Sequence, residues 1–252
     1  MRSLSIVIPA FNEEARLPST LQKVAEYLRS KEFSLAEVIV VDDGSRDGTA
    51  KLVEQWQSEH PEVRLLRNPG NRGKGFTVRH GVMESRGEWI LSTDADLSAP
   101  IGELDKLIAA VERTDASRPD PSGQTTKIAI GSRALDRSLV GVHQSPLREG
   151  AGRVFNLLMR MVTGLPFRDT QCGFKLFEAA AAREIFARQT LDGFSFDVED
   201  LVIAKILGHK AVEVPVVWNN VEGTKVSAFA GLSSFAALAG IRWRALTGRY
   251  GR

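Results

Sequence analysis

Short runs of β-branched and other apolar residues alternate, along the first half of this chain, with stretches whose apolar residues recur at helical spacing. The runs cover residues 4–8, 38–41, 63–66, 89–91 and 128–130. Unbroken runs of this length are what strands buried on both faces look like. Between them, Leu21, Val24, Ala25 and Leu28 fall at i, i+3, i+4 and i+7. Leu52, Val53 and Trp56 share a helical face after Asp47-Gly48-Thr49. Strand–helix alternation predicts an α/β fold, a doubly wound and mostly parallel sheet flanked by helices. Ligands of such sheets bind beyond the carboxyl ends of the strands.

The second half continues with a helix after Gly150 (Val154, Leu157, Leu158, Met161), a strand near 174–177, a helix over 198–207, a strand over 211–218 and a last helix from about Ser227. Segments 114–126 and 135–150 are polar and Gly- or Pro-containing, and read as exposed insertions. The 252 residues fit one domain, with 1–225 as its main body and 226–252 as a C-terminal amphipathic helix. A net charge of only +2 is too balanced for a nucleic-acid partner. Cys172 is the one cysteine, so no internal disulfide or Cys-cluster metal site is available; it reads as a packing residue in a reducing cytoplasm. The apolar run at 4–8 is too short for a signal sequence, and no run reaches the ~20 residues that span a bilayer. No membrane anchor is expected. His60, His80, His143 and His209 are scattered without ligand spacing.

Three acidic turns follow three of the apolar runs. The first run leads into Pro9-Ala10-Phe11-Asn12-Glu13-Glu14, the second ends in Asp42-Asp43-Gly44-Ser45, and the fourth in Thr93-Asp94-Ala95-Asp96. Taken singly, each has an ordinary explanation. Asp-Asp-Gly-Ser is a common turn, and Asn-Glu-Glu can begin a helix, where carboxylates favour the dipole. Parallel strands, however, bring all three to one rim. Asp94 and Asp96, at i and i+2 beyond a strand, can grip a hard divalent cation such as Mg²⁺ or Mn²⁺. Such an ion would bridge a diphosphate and stabilise the charge of its departure. Without it, two close carboxylates raise one another's pKa. Capping of the next helix by Asp96 or Ser98 explains one of these residues but not the pair.

The stretches Ile6-Val7-Ile8-Pro9-Ala10-Phe11-Asn12-Glu13, Val40-Val41-Asp42-Asp43-Gly44-Ser45 and Asp94-Ala95-Asp96 resemble the family 2 glycosyltransferases of the A-type fold, a single-domain, Rossmann-like nucleotide-sugar-binding architecture. Gly131-Ser132-Arg133, Asp169-Thr170-Gln171-Cys172-Gly173-Phe174-Lys175-Leu176-Phe177 and Phe196-Asp197-Val198-Glu199 look more specifically like the dolichyl-phosphate β-glucosyltransferases. The polyprenyl-phosphate mannosyltransferases are similar but less close. The resemblance runs from about Leu4 to the last helix, and implies an inverting transfer of glucose from UDP-glucose to a polyprenyl or dolichyl phosphate.

By that resemblance Pro9, Ala10, Phe11, Glu13, Val41 and Asp43 contact the nucleoside, and Asp94 and Ala95 lie along the ribose-diphosphate. Asp96 is the principal metal ligand with Asp94 beside it, and Arg133 faces the phosphates, so Asp94, Asp96 and Arg133 form the expected catalytic set. Lys225 matches a loop lysine that closes over the donor in the mannosyl relatives. Those relatives carry an arginine where Asn219 stands and often a glutamine ligand where Ser98 stands. Both departures count against GDP-mannose and leave metal coordination partly open. Asn71-Arg72-Gly73-Lys74-Gly75 lacks the Walker spacing. In the family this loop lies beside the nucleotide, which puts Lys74 among the donor contacts; an ordinary helix-start loop is the equal alternative.

A lipid phosphate, with a second pKa of ~6, is already largely anionic and can attack without a strong base, so positioning and electrostatics would dominate. Arg148 and Arg153 are candidates for holding it, or are solvated helix arginines. Asp169 and Gln171 would shape the acceptor pocket or touch sugar hydroxyls. Glu199 or Asp200 would serve as a base in a relative with a hydroxyl acceptor, or be first-turn helix acids with Asp197. In the C-terminal segment, Phe229, Leu232, Phe235 and Leu238 recur at helical spacing ahead of Arg242, Trp243 and Arg244. That pattern suits a helix at headgroup level, or one packed on its own sheet or on a second subunit. The expected partners are a nucleotide-sugar donor, a polyprenyl phosphate and, peripherally, the cytoplasmic face of a membrane, with the oligomeric state open. Use of GDP-mannose, transfer to a soluble hydroxyl, and a non-catalytic nucleotide-sugar-binding module are the alternatives; the intact Asp94–Asp96 pair argues against the last.

Overall fold

The computed structural model describes residues 2–117, 125–142, 146–220 and 229–251. The chain runs β1 (Arg2–Ala10), α1 (Leu17–Arg29), β2 (Phe33–Asp42), α2 (Thr49–Glu59), β3 (Val63–Arg67), α3 (Lys74–Met83), β4 (Trp89–Ser92), α4 (Leu104–Ser117) and β5 (Thr126–Ser132). It continues through β6 (Val140–Val142), α5 (Pro146–Thr163), β7 (Lys175–Glu178), α6 (Ala179–Arg188), α7 (Phe196–Ile206), β8 (Lys210–Pro215), β9 (Trp218–Asn219) and α8 (Phe229–Leu246). Seven strands form one sheet in the order β3-β2-β1-β4-β7-β5-β8, and β6 and β9 form a small parallel pair.

Both faces of the large sheet are covered, which is why its central strands are apolar without a break. Side chains alternate along a strand. Leu4, Ile6 and Ile8 therefore enter the layer under α1 and α4, with Leu21, Val24, Leu104 and Leu107. Val7, Ile39 and Val41 enter the opposite layer, with Val78 and Val82 of α3, Ile185 of α6 and Val198 of α7. Close approach of α3 depends on Gly81, where a Cβ would sit 2.4 Å from a methyl of Val7. At the amino-terminal rim, the buried Glu37 accepts hydrogen bonds from the Ser5 hydroxyl (2.6 Å), the Arg86 N–H (2.6 Å) and the Arg64 guanidinium (2.8 Å), tying β1, β2, β3 and the turn before β4 together.

The chain begins in the middle of the sheet, moves outward through β2 to β3, and returns on the other side of β1 as β4. Connections leaving β1 and β4 therefore diverge, and a crevice opens at their carboxyl ends. β7 runs antiparallel to both neighbours, with Lys175 beside Ser92 of β4 and Ile130 of β5. Its amino-terminal end consequently lies at the carboxyl rim of β4.

Three expectations are corrected. The strand foreseen over 211–218 breaks after Pro215, which has no N–H to donate to a ladder; Trp218 and Asn219 pair with β6 instead. The polar stretch 135–150 is not simply an insertion, since it supplies β6 and the first turn of α5. The helix foreseen after Gly150 starts at Pro146, a favoured first position. In the C-terminal segment, Leu238, Ile241 and Tyr250 are buried in the α3–α6–α7 layer, and the Tyr250 hydroxyl donates to Glu199 at 2.7 Å. Phe229, Leu232 and Phe235 have side chains outside the described residues.

Candidate active site

The two turns that leave β1 and β2 are stitched together. Asn12 N–H donates to the Ser45 hydroxyl (2.9 Å), Arg46 N–H to the Asn12 side-chain oxygen (2.8 Å), and Glu13 N–H to the Thr49 hydroxyl (2.8 Å). Asn12 holds a left-handed φ of 54°, which its short polar side chain tolerates. The turn after β4 contains a second such residue, Leu97 at φ 45°. A bulky apolar residue there is strained, and strain of this kind collects at sites that need a fixed geometry. Leu97 N–H closes the turn on the Asp94 carbonyl at 3.1 Å, and the Ala95 carbonyl is held by Thr20 of α1 at 2.7 Å.

Asp94 and Asp96 thus sit on a tightly specified turn at the crevice. One Asp96 oxygen accepts the Ser98 N–H at 3.0 Å within the turn itself; the next helix starts after Pro100 with no side-chain cap, so Asp96 does not cap it. Asp94 meets a cation, the Lys74 ammonium at 2.6 Å. It is also pressed by Gly173, where a Cβ would stand 2.6 Å and 2.7 Å from the two carboxylate oxygens. Burial raises the Asp94 pKa, but Lys74, Lys175 and Arg133 outweigh it and hold the carboxyl below its usual range. The ammonium of Lys74 is correspondingly harder to deprotonate despite its burial.

The segment before β7 reaches this place because β7 is antiparallel. Lys175, almost fully buried, donates to the Cys172 carbonyl at 2.7 Å and pairs closely with Asp197 at the start of α7. Buried this deeply, an ammonium has to be paired, and Asp197 pairs it. Asp169 receives a two-pronged contact from Arg133, Nε at 2.7 Å and Nη2 at 2.8 Å, and the Arg133 N–H at 3.0 Å. The guanidinium lies over the Trp218 ring at 4.8 Å, and Glu213 anchors the loop through the Arg168 and Asp169 N–H groups. Although burial works against both charges, their contact keeps Arg133 protonated and Asp169 ionised. Burial pushes the Cys172 thiol up to about 12, which leaves it a packing group.

The expected site residues divide into those the crevice gathers and those it does not. The crevice gathers Asp94 with Lys74 and Arg133, sets Asp96 within electrostatic reach of Lys74, and pairs Arg133 with Asp169. Pro9 and Phe11 are partly open beside the first turn, and Gln171 is exposed. Val41 has its side chain in the core against α3, so only its backbone can face a ligand. Ala10 and Ala95 are likewise buried. Asp43 spends its carboxylate inside the protein, on Asn68 (2.7 Å) and the N–H groups of Arg72 (2.8 Å) and Gly73 (2.9 Å). Glu13 is gripped by Arg16 at 2.7 Å through both oxygens. These two acids therefore shape the rim around the crevice. At the start of α3 the Asp192 carbonyl accepts the Gly75 and Phe76 N–H groups at 2.7 and 3.2 Å, so those two donors are turned inward. Lys225 lies outside the described residues, as do the side chains of Arg148 and Arg153 on α5.

Lys175, Gly173, Asp192, Glu213 and Trp218 belong to the arrangement and carried no assigned role in the sequence. A lysine inside the apolar stretch Cys-Gly-Phe-Lys-Leu-Phe was the one legible hint, since such a charge has to be paired. Glu199 is fully engaged by Thr190, Leu191 and Tyr250. Asp200 is buried, with Oδ1 unpartnered among the described residues. Burial, with Asp197 and Glu199 adding to it, lifts the Asp200 pKa well above the carboxylate range.

Comparison with known proteins agrees with this geometry. The sequence model of glycosyl transferase family 2 matches residues 5–186. A dolichyl-phosphate beta-glucosyltransferase of Trichomonas vaginalis is 37% identical over 227 residues, which are 88% of this chain and 65% of that protein. The chain thus spans about two thirds of that relative's length. The dolichyl-phosphate beta-glucosyltransferase of Homo sapiens is 36% identical over 258 residues, covering 99% and 78% of the two chains. Among solved structures, glucosyl-3-phosphoglycerate synthase from Mycobacterium tuberculosis, in complex with Mn²⁺, UDP-glucose and phosphoglyceric acid, superposes with a TM-score of 0.59 at 17% identity, over 99% of this chain and 80% of that one. That last likeness is one of fold. With its motifs gathered at the switch point of an A-type sheet and the family model spanning most of its length, this chain belongs to glycosyl transferase family 2.

Proposed function

We propose that the protein transfers glucose from UDP-glucose to the phosphate of a dolichyl or other polyprenyl lipid, with inversion at the sugar carbon. The likeness to dolichyl-phosphate beta-glucosyltransferases over nearly the whole chain supports this. The observation that carries it is the strained turn after β4, which holds Asp94 and Asp96 at the crevice against Lys74 and Gly173.

Asp94 and Asp96 fit a divalent cation, Mg²⁺ or Mn²⁺. Asp94 already holds one cation, an ammonium, and Gly173 leaves room for no side chain against it. Among the described residues no third His, Cys, Asp or Glu joins the pair, so donor phosphates and water would complete the oxygen shell. A bound cation would neutralise the diphosphate as it leaves. Arg133, oriented by Asp169 and Trp218, adds fixed positive charge beside Asp94. Such preorganised charge accelerates the step without having to reorganise. Glu199 is consumed by internal hydrogen bonds to Thr190, Leu191 and Tyr250. It is not poised as a base, which suits an acceptor that arrives as an anion.

Membrane contact is part of the proposal. α5 packs against α8, and these helices expose Leu157 and Met161, Trp243 and Leu246, alongside the exposed Arg160, Arg242 and Arg249. Apolar side chains ringed by arginines suit a headgroup layer. No helix among the described residues is long and apolar enough to cross a membrane, so contact would be peripheral, at the cytoplasmic face.

Incubation of labelled UDP-glucose with dolichyl-phosphate vesicles and Mn²⁺ tests the reading. Label is expected in the organic phase. Asp96→Ala is expected to abolish that transfer while the melting temperature holds. Product found only on soluble acceptors, or full activity in EDTA, would sink the assignment.

A further inference from the structure

The backbone of Lys74 is fixed from several directions. Asp43 accepts the Arg72 and Gly73 N–H groups at 2.8 and 2.9 Å, and the Asp192 carbonyl accepts the Gly75 N–H at 2.7 Å. Glycines on either side make this approach feasible. A Cβ at Gly73 or Gly75 would meet the carbonyl oxygen of Asp192 or Leu191 at 2.5 Å, and Gly73 has a φ of 100°. The N–H groups of Gly75 and Phe76, at the start of α3, are consumed in the process. What the loop presents to the crevice is one ammonium, 2.6 Å from Asp94 Oδ1.

An ammonium and a divalent cation need the same carboxylate lone pairs, and they repel each other. Lys74 occupies an Asp94 oxygen that a metal ion would require. A displaced ammonium has few places to go. Asp197 is taken by Lys175 and Asp169 by Arg133, and Asp43 is spent on its own loop. A nucleoside diphosphate changes this, because its oxygens give the ammonium a charge-assisted partner.

We propose that Lys74 is a resident counter-ion of Asp94 that yields this carboxylate to the divalent cation only when a nucleoside diphosphate offers the ammonium a second anion. This rests on the metal reading of Asp94 and Asp96, and adds that metal and donor bind as a coupled pair, each improving the other's affinity. Lys74 would also keep the Asp94 charge compensated whenever no cation is bound.

The test is a titration of the full chain with Mn²⁺, following free Mn²⁺ by electron paramagnetic resonance, without nucleotide and with UDP, corrected for Mn²⁺ held by UDP in solution. Nucleotide-free Lys74→Met is expected to bind Mn²⁺ about tenfold more tightly than wild type, within the usual span of coupling between sites. UDP should then improve Mn²⁺ binding less in Lys74→Met than in wild type. Lys74→Arg keeps the charge and should resemble wild type without nucleotide. Equal nucleotide-free affinity in wild type and a folded Lys74→Met overturns the inference alone, because a lysine that merely holds phosphate acts only once UDP is present. Should Lys74→Met not fold, Lys74→Gln is read by the same criterion. Failure of every variant to bind Mn²⁺, even with UDP, removes the metal reading and this inference together.

Discussion

Gly173→Ala changes one hydrogen for a methyl group beside the central carboxylate. The new Cβ would stand 2.6 Å from Asp94 Oδ2, 2.7 Å from Oδ1 and 2.8 Å from Cγ. Non-bonded contacts become comfortable only near ~3.5 Å, so the carboxylate must retreat by roughly 0.8 Å. Gly173 is not in the left-handed region, so alanine suits its backbone and the strain falls on the carboxylate. Rotation away from Gly173 also loosens the 2.6 Å contact with Lys74. A misplacement of this size costs about 100-fold in rate, equivalent to about 2.7 kcal/mol of barrier. kcat/KM for glucose transfer to lipid phosphate, measured beside the melting temperature, separates the site effect from a general loss of fold. The expectation is a drop of about 100-fold with a shift of only a few degrees. Wild-type kcat/KM in Gly173→Ala would refute the argument that Asp94 must be held where it is.

Two buried acids should tilt the pH dependence of stability in opposite directions. Burial pushes the Glu37 pKa up, but Ser5, Arg86 and Arg64 outweigh it and leave it depressed. Its contribution is therefore present above the unfolded value of about 4.3 and lost as pH falls through the lower folded value. Glu37→Gln should cost about 2 kcal/mol at pH 7, and urea midpoints should show the gap closing below about pH 4; a gap that stays constant with pH contradicts the assignment. Asp200 has its pKa raised by burial first, then by Asp197 and Glu199. Its stabilising neutral form is fully present below about pH 3.9, and that advantage is lost as pH rises towards the raised folded value. Asp200→Asn removes the slope, so its urea midpoint should gain on wild type as pH rises above the unfolded value of about 3.9; parallel curves would contradict a raised Asp200 pKa.

Much of the crevice was legible because its signals are local. A β-branched run followed by an acidic turn places the turn at a strand's carboxyl end whatever the rest of the chain does, and Asp94–Asp96 was found in this way. Side-chain destinations were less legible. Asp43 and Glu13 carry the right chemistry for a ligand, yet their oxygens are taken by Asn68 and the Arg72–Gly73 backbone, and by Arg16. Nothing in the sequence distinguishes a carboxylate aimed at a ligand from one aimed at its own loop. Val41 posed a similar ambiguity, since a residue at the rim end of a strand can turn either to solvent or to the helix beneath it.

The sequence by itself determined the α/β class, most of the strands and helices, and the acidic turns, because periodicity and turn chemistry act over a few neighbouring residues. Only the tertiary structure decided the direction of β7. An apolar strand reads the same in either sense, and its polarity depends on which neighbours it finds across the sheet. That one reversal brings Asp169, Gly173 and Lys175 to the rim where β4 ends, and long-range packing then sets Gly173 against Asp94 and Asp169 against Arg133.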